Sequence, residues 1–387
     1  MDKLYIGIYG SVNSGKSSLI NKLSGQNTAI VSSERGTTTD PVRKLIELDG
    51  LGPCVLIDTA GIDDTTALSK ERISKTMQTL DIVDIALYVF DGGKVSAQDE
   101  KMLALIKSKQ LPLLLVNNKC DLPDFKELRG EYYPALSFSA GNADKADVIL
   151  KALKAIKPQT EKQILLDDKI KKGDIVVLVC PIDCAAPKDR LILPQVKTVR
   201  NILDNRAVSI VLQPEELESF LKLNLPVRLV ITDSQAFKQV SQIVPPQIPL
   251  TSFSILFARL KGNLPLYLQG TKAAENLKDG DRILILESCN HSANTCDDIG
   301  RVKLPKLISA KSGKRLDFTV VAGLEPLPED LSSYALAVQC GGCMITKHQL
   351  KQRVEKLIQA GVPLSNYGVM MAYCNGILPR VSEIFLK

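Results

Sequence analysis

The sequence predicts an α/β fold in three domains, the first of them built on a mostly parallel sheet. Three observations carry this. Over the first 165 residues or so, short apolar runs alternate with amphipathic stretches, the pattern of strands joined by crossover helices. A glycine-rich turn, Gly10 to Ser17, separates the first strand-like run from the first helical one. Two breaks then divide the remainder: a lysine-rich stretch over residues 151–172 and a proline group at Pro245, Pro246 and Pro249. A chain of 387 residues is too long for one ordinary domain. The expected domains run 1–165, 170–262 and 263–387.

In the first domain, strands are expected at 5–9, 55–57, 85–90 and 113–116, with helices at 16–23, 99–108 and 147–156. The middle domain has strand-like runs at 175–179, 209–212 and 228–231 and helical patterns at 196–203 and 214–221. It carries no catalytic constellation, so a folding or dimerisation module is expected there. In the last domain strands are expected at 283–286, 318–321, 335–338 and 369–373, with helices between.

Composition narrows the function classes. Hydrophobic residues make up 45% and charged residues 24%, as in folded globular proteins. The formal charge of +6 is mild and spread along the chain, so it argues only weakly for nucleic acid or membrane partners, and neither is expected. No apolar run approaches the roughly 20 residues of a membrane span. The chain enters a strand at Tyr5 without a signal-peptide pattern. Nine cysteines are an odd number for a disulfide framework. A cytoplasmic protein with reduced or metal-bound thiols is expected. Of two histidines, His348 falls in or near a helix and is expected at the surface.

Gly10-Ser-Val-Asn13-Ser14-Gly15-Lys16-Ser17-Ser18 follows a strand and opens a helix, the context of a phosphate-binding loop. Its backbone N–H groups can wrap phosphates at a helix N-terminus. Lys16 would reach the β- and γ-phosphates during catalysis, and the Ser17 hydroxyl would join Mg²⁺. Asp58-Thr59-Ala60-Gly61 ends a strand, so Asp58 can hold Mg²⁺ through water and the Gly61 N–H can face the γ-phosphate. Asn118-Lys119-Cys120-Asp121 ends another. A carboxylate there accepts two hydrogen bonds from the guanine edge, a pair that adenine does not offer, so Asp121 selects guanine. Ser139 and Ala140 stand where a backbone N–H would meet guanine O6. GTP and GDP are therefore the expected nucleotides.

This set resembles the translation-factor-like GTPases, within them the potassium-activated branch that includes MnmE and Era. The resemblance covers about 160 residues. By matching, Gly36-Thr37-Thr38-Thr39-Asp40 is the first switch motif, with Thr38 as the Mg²⁺-binding threonine and Thr37 or Thr39 as the alternatives in register. Asn13 matches the asparagine that holds K⁺ under a loop, here about residues 32–35, where the ion adds positive charge to the transition state. Ile62 replaces the water-orienting glutamine of Ras-like proteins. Glu71, before Arg72 and Ile73, resembles the glutamate that serves instead, displaced by about one residue; a solvated helix-face glutamate is the other reading.

Cys289-Asn290-His291 and Cys340-Gly-Gly-Cys343 each follow a predicted strand. In a parallel sheet both face the crevice where such sheets hold ligands. Cys374 also ends a strand-like run. The residues alone leave a cluster, a structural zinc and a redox pair open. A potassium-type GTPase domain, a middle module and this cysteine pair together resemble the FeFe-hydrogenase maturation GTPases of the HydF family, over the whole chain, with Asp297 to Lys303 also matching.

The resemblance implies a 4Fe–4S cluster on Cys289, Cys340 and Cys343. It implies a homodimeric scaffold working with radical-SAM maturases that delivers a diiron precursor to apo-hydrogenase. Many members carry His-Cys-x-x-Cys, but Gln339 stands before Cys340 here. The fourth ligand is thus open among Cys296, Asp297, His291 and exchangeable water. The rival class is a ribosome- or RNA-associated GTPase with a structural zinc site. It would need a Gly-x-x-Gly clamp or a basic aromatic patch, and neither appears after residue 160.

Overall fold

The computed structural model describes residues 3–25, 32–34, 42–59, 76–128, 135–139, 146–158, 164–182, 191–288 and 298–386. The chain forms two compact units, Met1–Thr160 and Glu161–Lys387.

In the first unit, β1 (Leu4–Gly10), α1 (Lys16–Gly25), β2 (Ser32–Glu34), β3 (Val42–Leu48), β4 (Gly52–Asp58), β5 (Ile85–Asp91), α2 (Ala97–Ser108), β6 (Leu113–Asn118), β7 (Leu136–Ser137) and α3 (Ala146–Ile156) follow in order. Among the described residues they make a seven-stranded sheet, β2-β3-β4-β1-β5-β6-β7. The β4-β1-β5-β6-β7 part is parallel, and β2-β3-β4 is an antiparallel edge. The expected four strands and three helices are all present, each one to four residues longer. The antiparallel strand β3 was missed because Arg43, Lys44 and Glu47 interrupt its apolar run.

Central strands are apolar on both faces, as a sheet covered by helices requires. Ile6, Ile8, Ile85, Leu87 and Val89 pack with Leu19 and Ile20 of α1 and Ile149 and Leu153 of α3. This places the C-terminal ends of β1, β4, β5 and β6 together, and with them the loops that carry the nucleotide motifs.

The second unit has two parallel four-stranded sheets, 11-10-8-9 and 13-12-14-15 in strand order. The first contains β8 (Ile175–Val179), β9 (Val208–Leu212), β10 (Val227–Thr232) and β11 (Leu250–Ser252), with α4 (Leu193–Asp204), α5 (Leu217–Leu221), α6 (Phe237–Ile243) and α7 (Phe253–Lys261). After α8 (Leu264–Gly270) the second contains β12 (Arg282–Leu286), β13 (Asp317–Val321), β14 (Tyr334–Gln339) and β15 (Leu364–Asn366). Its helices are α9 (Leu304–Ser312), α10 (Lys347–Gln359), α11 (Tyr367–Cys374) and α12 (Leu378–Leu386). One core serves both sheets: Val177 and Val230 lie in the same buried cluster as Leu284, Ala337 and Leu364.

One expectation is corrected. Residues 369–373 are not a strand; they lie within helix α11. The run Val-Met-Met-Ala-Tyr has no polar interruption, so its period does not separate helix from strand. The helix is buried from Tyr367 to Ala372. Asn366 caps it, its side chain accepting from the Gly368 N–H at 2.9 Å. The strand is the short segment just before, β15. Cys374 therefore ends a helix. His348 sits in the first turn of α10 and is half-buried, deeper than expected.

Among the described residues no helix is long and apolar enough to cross a membrane.

Candidate functional site

β1 enters the glycine-rich loop and α1 leaves it. Gly15 has φ +93°, and a Cβ there would lie 2.1 Å from Asn118 Nδ2. That close approach carries a bond, Asn118 Nδ2 donating to the Ser14 carbonyl at 2.8 Å. The phosphate-loop and base-reading motifs are thus tied across 104 residues. Asn13 also has positive φ, +63°, a conformation asparagine tolerates better than most, and its side chain is exposed. Lys16 Nζ donates to the carbonyls of Gly10 at 3.0 Å and Ser11 at 2.7 Å. The Ser17 hydroxyl donates to Asp58 at 2.6 Å, so two expected Mg²⁺ partners already meet.

The base-reading end is also assembled. The Cys120 N–H donates to the Phe138 carbonyl at 3.0 Å, and the Phe138 N–H to Asn117 O at 2.9 Å. Asp121 is exposed, and a hydrogen bond from Ser139 holds its carboxyl below the usual carboxylate range. An ionised, outward-facing carboxylate is what the expected guanine contact requires. Lys119 Nζ pairs with Asp91 at 2.8 Å.

Two supports were missed from the sequence. Asp99 is 2% exposed and accepts from Ser11 Oγ at 2.7 Å, Tyr88 Oη at 2.6 Å and Ser96 N at 2.7 Å. It thereby fastens the phosphate loop to α2. The spacing Ser96-x-x-Asp99 is a capping signal that announces the helix start but not the reach to Ser11. Asp91 has no local signal. Thr38, Gly61, Ile62, Glu71 and Ala140 lie outside the described residues.

In the second unit β12 and β14 are parallel neighbours, with Leu286 opposite Gln339. Their ends bring the two cysteine motifs side by side. The Cys340 N–H donates to the Leu286 carbonyl at 2.9 Å, and Cys340 Sγ lies 2.8 Å from Ser288 Oγ, the residue before Cys289. Gly342 turns the loop at φ +68°. Burial pushes the Cys340 and Cys343 thiols up from the ordinary range; Ser288 and Arg353 oppose this at Cys340, and Lys261 at Cys343. Among the described residues no three His, Cys, Asp or Glu side chains form a metal-holding group. Cys289, His291, Cys296 and Asp297 lie outside those residues.

Gln339 is fully buried. Its Nε2 donates to the Leu286 carbonyl at 3.3 Å and Ser288 Oγ at 3.0 Å. On the flanks, Glu287 is buried and Arg301 Nη2 meets its carboxylate at 3.1 Å. Asp298 Oδ1 accepts from the Arg301 N–H at 2.7 Å. Arg301 therefore braces both sides of the segment that carries Cys289. Ser288 and Glu287 were not picked out from the sequence, and Arg301 only as part of the Asp297 to Lys303 match, because each acts through a distant partner.

Residues 5–119 match a family model described as 50S ribosome-binding GTPase. Residues 165–262 match the hydrogen maturase F dimerization domain, and residues 265–384 the hydrogen maturase F tetramerization domain. The chain belongs to the hydrogen maturase F family. That bears out the resemblance read from the motifs, and with it the α/β domain series.

The tRNA modification GTPase MnmE of Geobacter sulfurreducens is 37% identical over 150 residues, which is 38% of this chain and 32% of MnmE. GTPase Der of Wolinella succinogenes is 35% identical over 162 residues, 38% of this chain and 34% of Der. The chain spans about a third of the length of these curated relatives. Among solved structures, Aquifex aeolicus Era bound to GDP·AlF4⁻ is 19% identical, with a TM-score of 0.32, over 55% of this chain and 93% of that one. The G domain of the T. maritima FeoB iron transporter is 18% identical, with a TM-score of 0.31, over 40% and 98%. Scores at this level bear neither on function nor on mechanism.

Proposed function

We propose that this protein is a GTP-hydrolysing scaffold of FeFe-hydrogenase maturation that carries a 4Fe–4S cluster and delivers a diiron precursor to apo-hydrogenase. The succession of a GTPase match and two hydrogen maturase F matches along one chain supports it. The names of those two models also support a homo-oligomer, a dimer built through residues 165–262 that pairs further through 265–384. Apo-hydrogenase and the radical-SAM maturases are the partners this role implies.

At the nucleotide site, Asn13, Ser14, Gly15, Ser17 and Ser18 line the phosphates, and Lys16 moves from its carbonyl partners onto the β- and γ-phosphates. Ser17 and Thr38 hold Mg²⁺, with Asp58 behind a water. Their fit rests on the 2.6 Å Ser17–Asp58 contact, two oxygens that a divalent cation would share. Asn118, Lys119, Asp121, Ser139 and Ala140 hold the base, and the Gly61 N–H faces the γ-phosphate. K⁺ held at Asn13 would supply positive charge to the transition state. Glu71 orients the attacking water, and turnover is slow because no glutamine does so.

At the cysteine site the donor set fits an iron–sulfur cluster. Cys340 and Cys343 sit on one tight loop, and Ser288, the residue before Cys289, has its Oγ 2.8 Å from Cys340 Sγ. Cys289, Cys340 and Cys343 would hold the cluster, with the fourth position left to Cys296, Asp297, His291 or water. When bound, the cluster supplies an iron edge for the cargo. The chain's own part is to space Cys340 and Cys343 on one loop and to bring that loop beside Ser288, next to Cys289 in the sequence.

Anaerobic reconstitution with iron and sulfide tests this. Iron, sulfide and the absorption and EPR spectra of a cluster are expected. Stoichiometric zinc without an iron–sulfur signal would instead favour an RNA- or ribosome-associated GTPase with a zinc site. Comparing hydrolysis in K⁺ and Na⁺ tests Asn13, and equal rates would refute its role.

A further inference from the structure

A carboxylate is kept in a protein interior only where donors meet its charge. Asp99, in the first turn of α2, is such a group, and its two oxygens divide their work. Oδ2 accepts from the Ser96 N–H at 2.7 Å and from Ser96 Oγ at 2.8 Å, which closes the capping box of α2. Oδ1 does nothing for the helix. It accepts from Tyr88 Oη at 2.6 Å, in the middle of β5, and from Ser11 Oγ at 2.7 Å, across 88 residues of chain. All four donors are neutral, and among the described residues no cation pairs with Asp99.

Ser11 is the residue on which the phosphate loop turns. Its carbonyl accepts from the Ser14 N–H at 3.3 Å and from Lys16 Nζ at 2.7 Å. One carbonyl thus holds a loop amide and the lysine ammonium, and the side chain of the same residue is tied to Asp99. A helix cap needs neither Ser11 nor Tyr88. A neutral glutamine closes a capping box as well as an acid does, so the helix does not call for a charge. A carboxylate close to a loop made for phosphates also repels the ligand. The bond to Ser11 is what sets against that repulsion.

We infer that Asp99 is a positioning residue of the GTPase site: through Ser11 it fixes the carbonyl that orders the Ser14 N–H and parks Lys16, and so pre-forms the loop that receives the β-phosphate. This rests on the nucleotide role proposed above and assigns a residue outside the four nucleotide motifs. The effect is confined to nucleotides that reach the loop. The base-reading end stands on other contacts, the Cys120 N–H to the Phe138 carbonyl and Lys119 to Asp91, neither of which passes through Asp99.

The test is equilibrium binding of GTP, GDP and GMP, with Mg²⁺, to the full-length protein. Wild type is compared with Ser11→Ala, Asp99→Ala, the double variant and Tyr88→Phe, by calorimetry for GTP and GDP and by NMR titration for GMP. A hydrogen bond to a charged group changes an equilibrium by roughly ten- to a hundredfold. Ser11→Ala and Asp99→Ala should each weaken GTP and GDP by about that factor and leave GMP, which has no β-phosphate, unchanged. The double variant should bind no worse than the weaker single one, because one contact is lost once. Tyr88→Phe keeps the Ser11 contact, so it should lower the melting temperature and leave all three affinities at their wild-type values. Circular dichroism checks folding; if Asp99→Ala does not fold, Ser11→Ala against Tyr88→Phe decides. A loss shared equally by GMP, additive losses in the double variant, or an unchanged GTP affinity in Ser11→Ala would overturn the inference. A wild type that does not bind GTP would instead strike the nucleotide role, so the two failures are distinguishable.

Discussion

Replacing Gly15 by alanine tests the tie between the phosphate loop and the base-reading motif. At φ +93° an alanine is strained, by about 1–3 kcal/mol. Its Cβ would also stand 2.1 Å from Asn118 Nδ2, so the 2.8 Å bond to the Ser14 carbonyl must break, a further loss of about 1 kcal/mol. The sum of about 2–4 kcal/mol, charged to the binding-competent loop, weakens GTP by roughly 30- to 700-fold. Asn118→Ala removes the clash but also the bond, so by that route it costs about 1 kcal/mol. The double variant should bind better than the two single losses predict, because the contact is lost only once. Equilibrium binding of a fluorescent GTP analogue to all four proteins measures this. Gly15→Ala binding within threefold of wild type, or strict additivity in the double variant, would refute the reasoning.

Asp121→Asn removes two charge-assisted hydrogen bonds to guanine, each worth about 1.5–3 kcal/mol, so GTP affinity should fall by roughly 10²- to 10⁴-fold while the fold survives; calorimetry and circular dichroism check both. Burial pushes the Cys374 thiol up to about 11. Its labelling by iodoacetamide, followed by mass spectrometry, should be slow at neutral pH and rise about tenfold per pH unit to about pH 10; rapid labelling at pH 7.5 would contradict its burial. Asp168 meets Arg259 through both oxygens, at 2.8 and 2.6 Å, and that contact holds its carboxyl below the ordinary value. A lowered folded value means the pair's stability is present above about pH 4 and is lost as pH falls through the folded value. Because the pair is partly exposed, Asp168→Asn should cost only about 0.5–1 kcal/mol at pH 7 and flatten the acid limb of thermal stability. An unchanged acid slope would count against it.

The nucleotide motifs were legible because their chemistry is written within runs of eight residues or fewer, bounded by strands whose apolar faces declare themselves. Gly10 to Ser17 announces a phosphate loop before any contact is known. The bond from Asn118 to Ser14 does not, since nothing local links residues 104 apart. The same holds at the cysteine site. Cys340 and Cys343 stand out, but Ser288 matters only because β12 and β14 pair in parallel. Lys261 follows Arg259 near a helix end and looks like any solvated cation until α7 packs beneath the loop. The one element misassigned, α11, is apolar on every side, so its period carries no information.

Lys261 closes the last helix of the segment matched as a dimerization domain, four residues before the segment matched as a tetramerization domain begins. Its ammonium group nevertheless holds carbonyls of a loop more than eighty residues further on. The two segments are therefore not exchangeable parts. A chimera cut at residue 262 and given a new first half would inherit the cysteines but lose the cation beneath them unless the donor also ended in a basic residue. Recombination between relatives is constrained at that seam, and a natural replacement on one side calls for a matching one on the other.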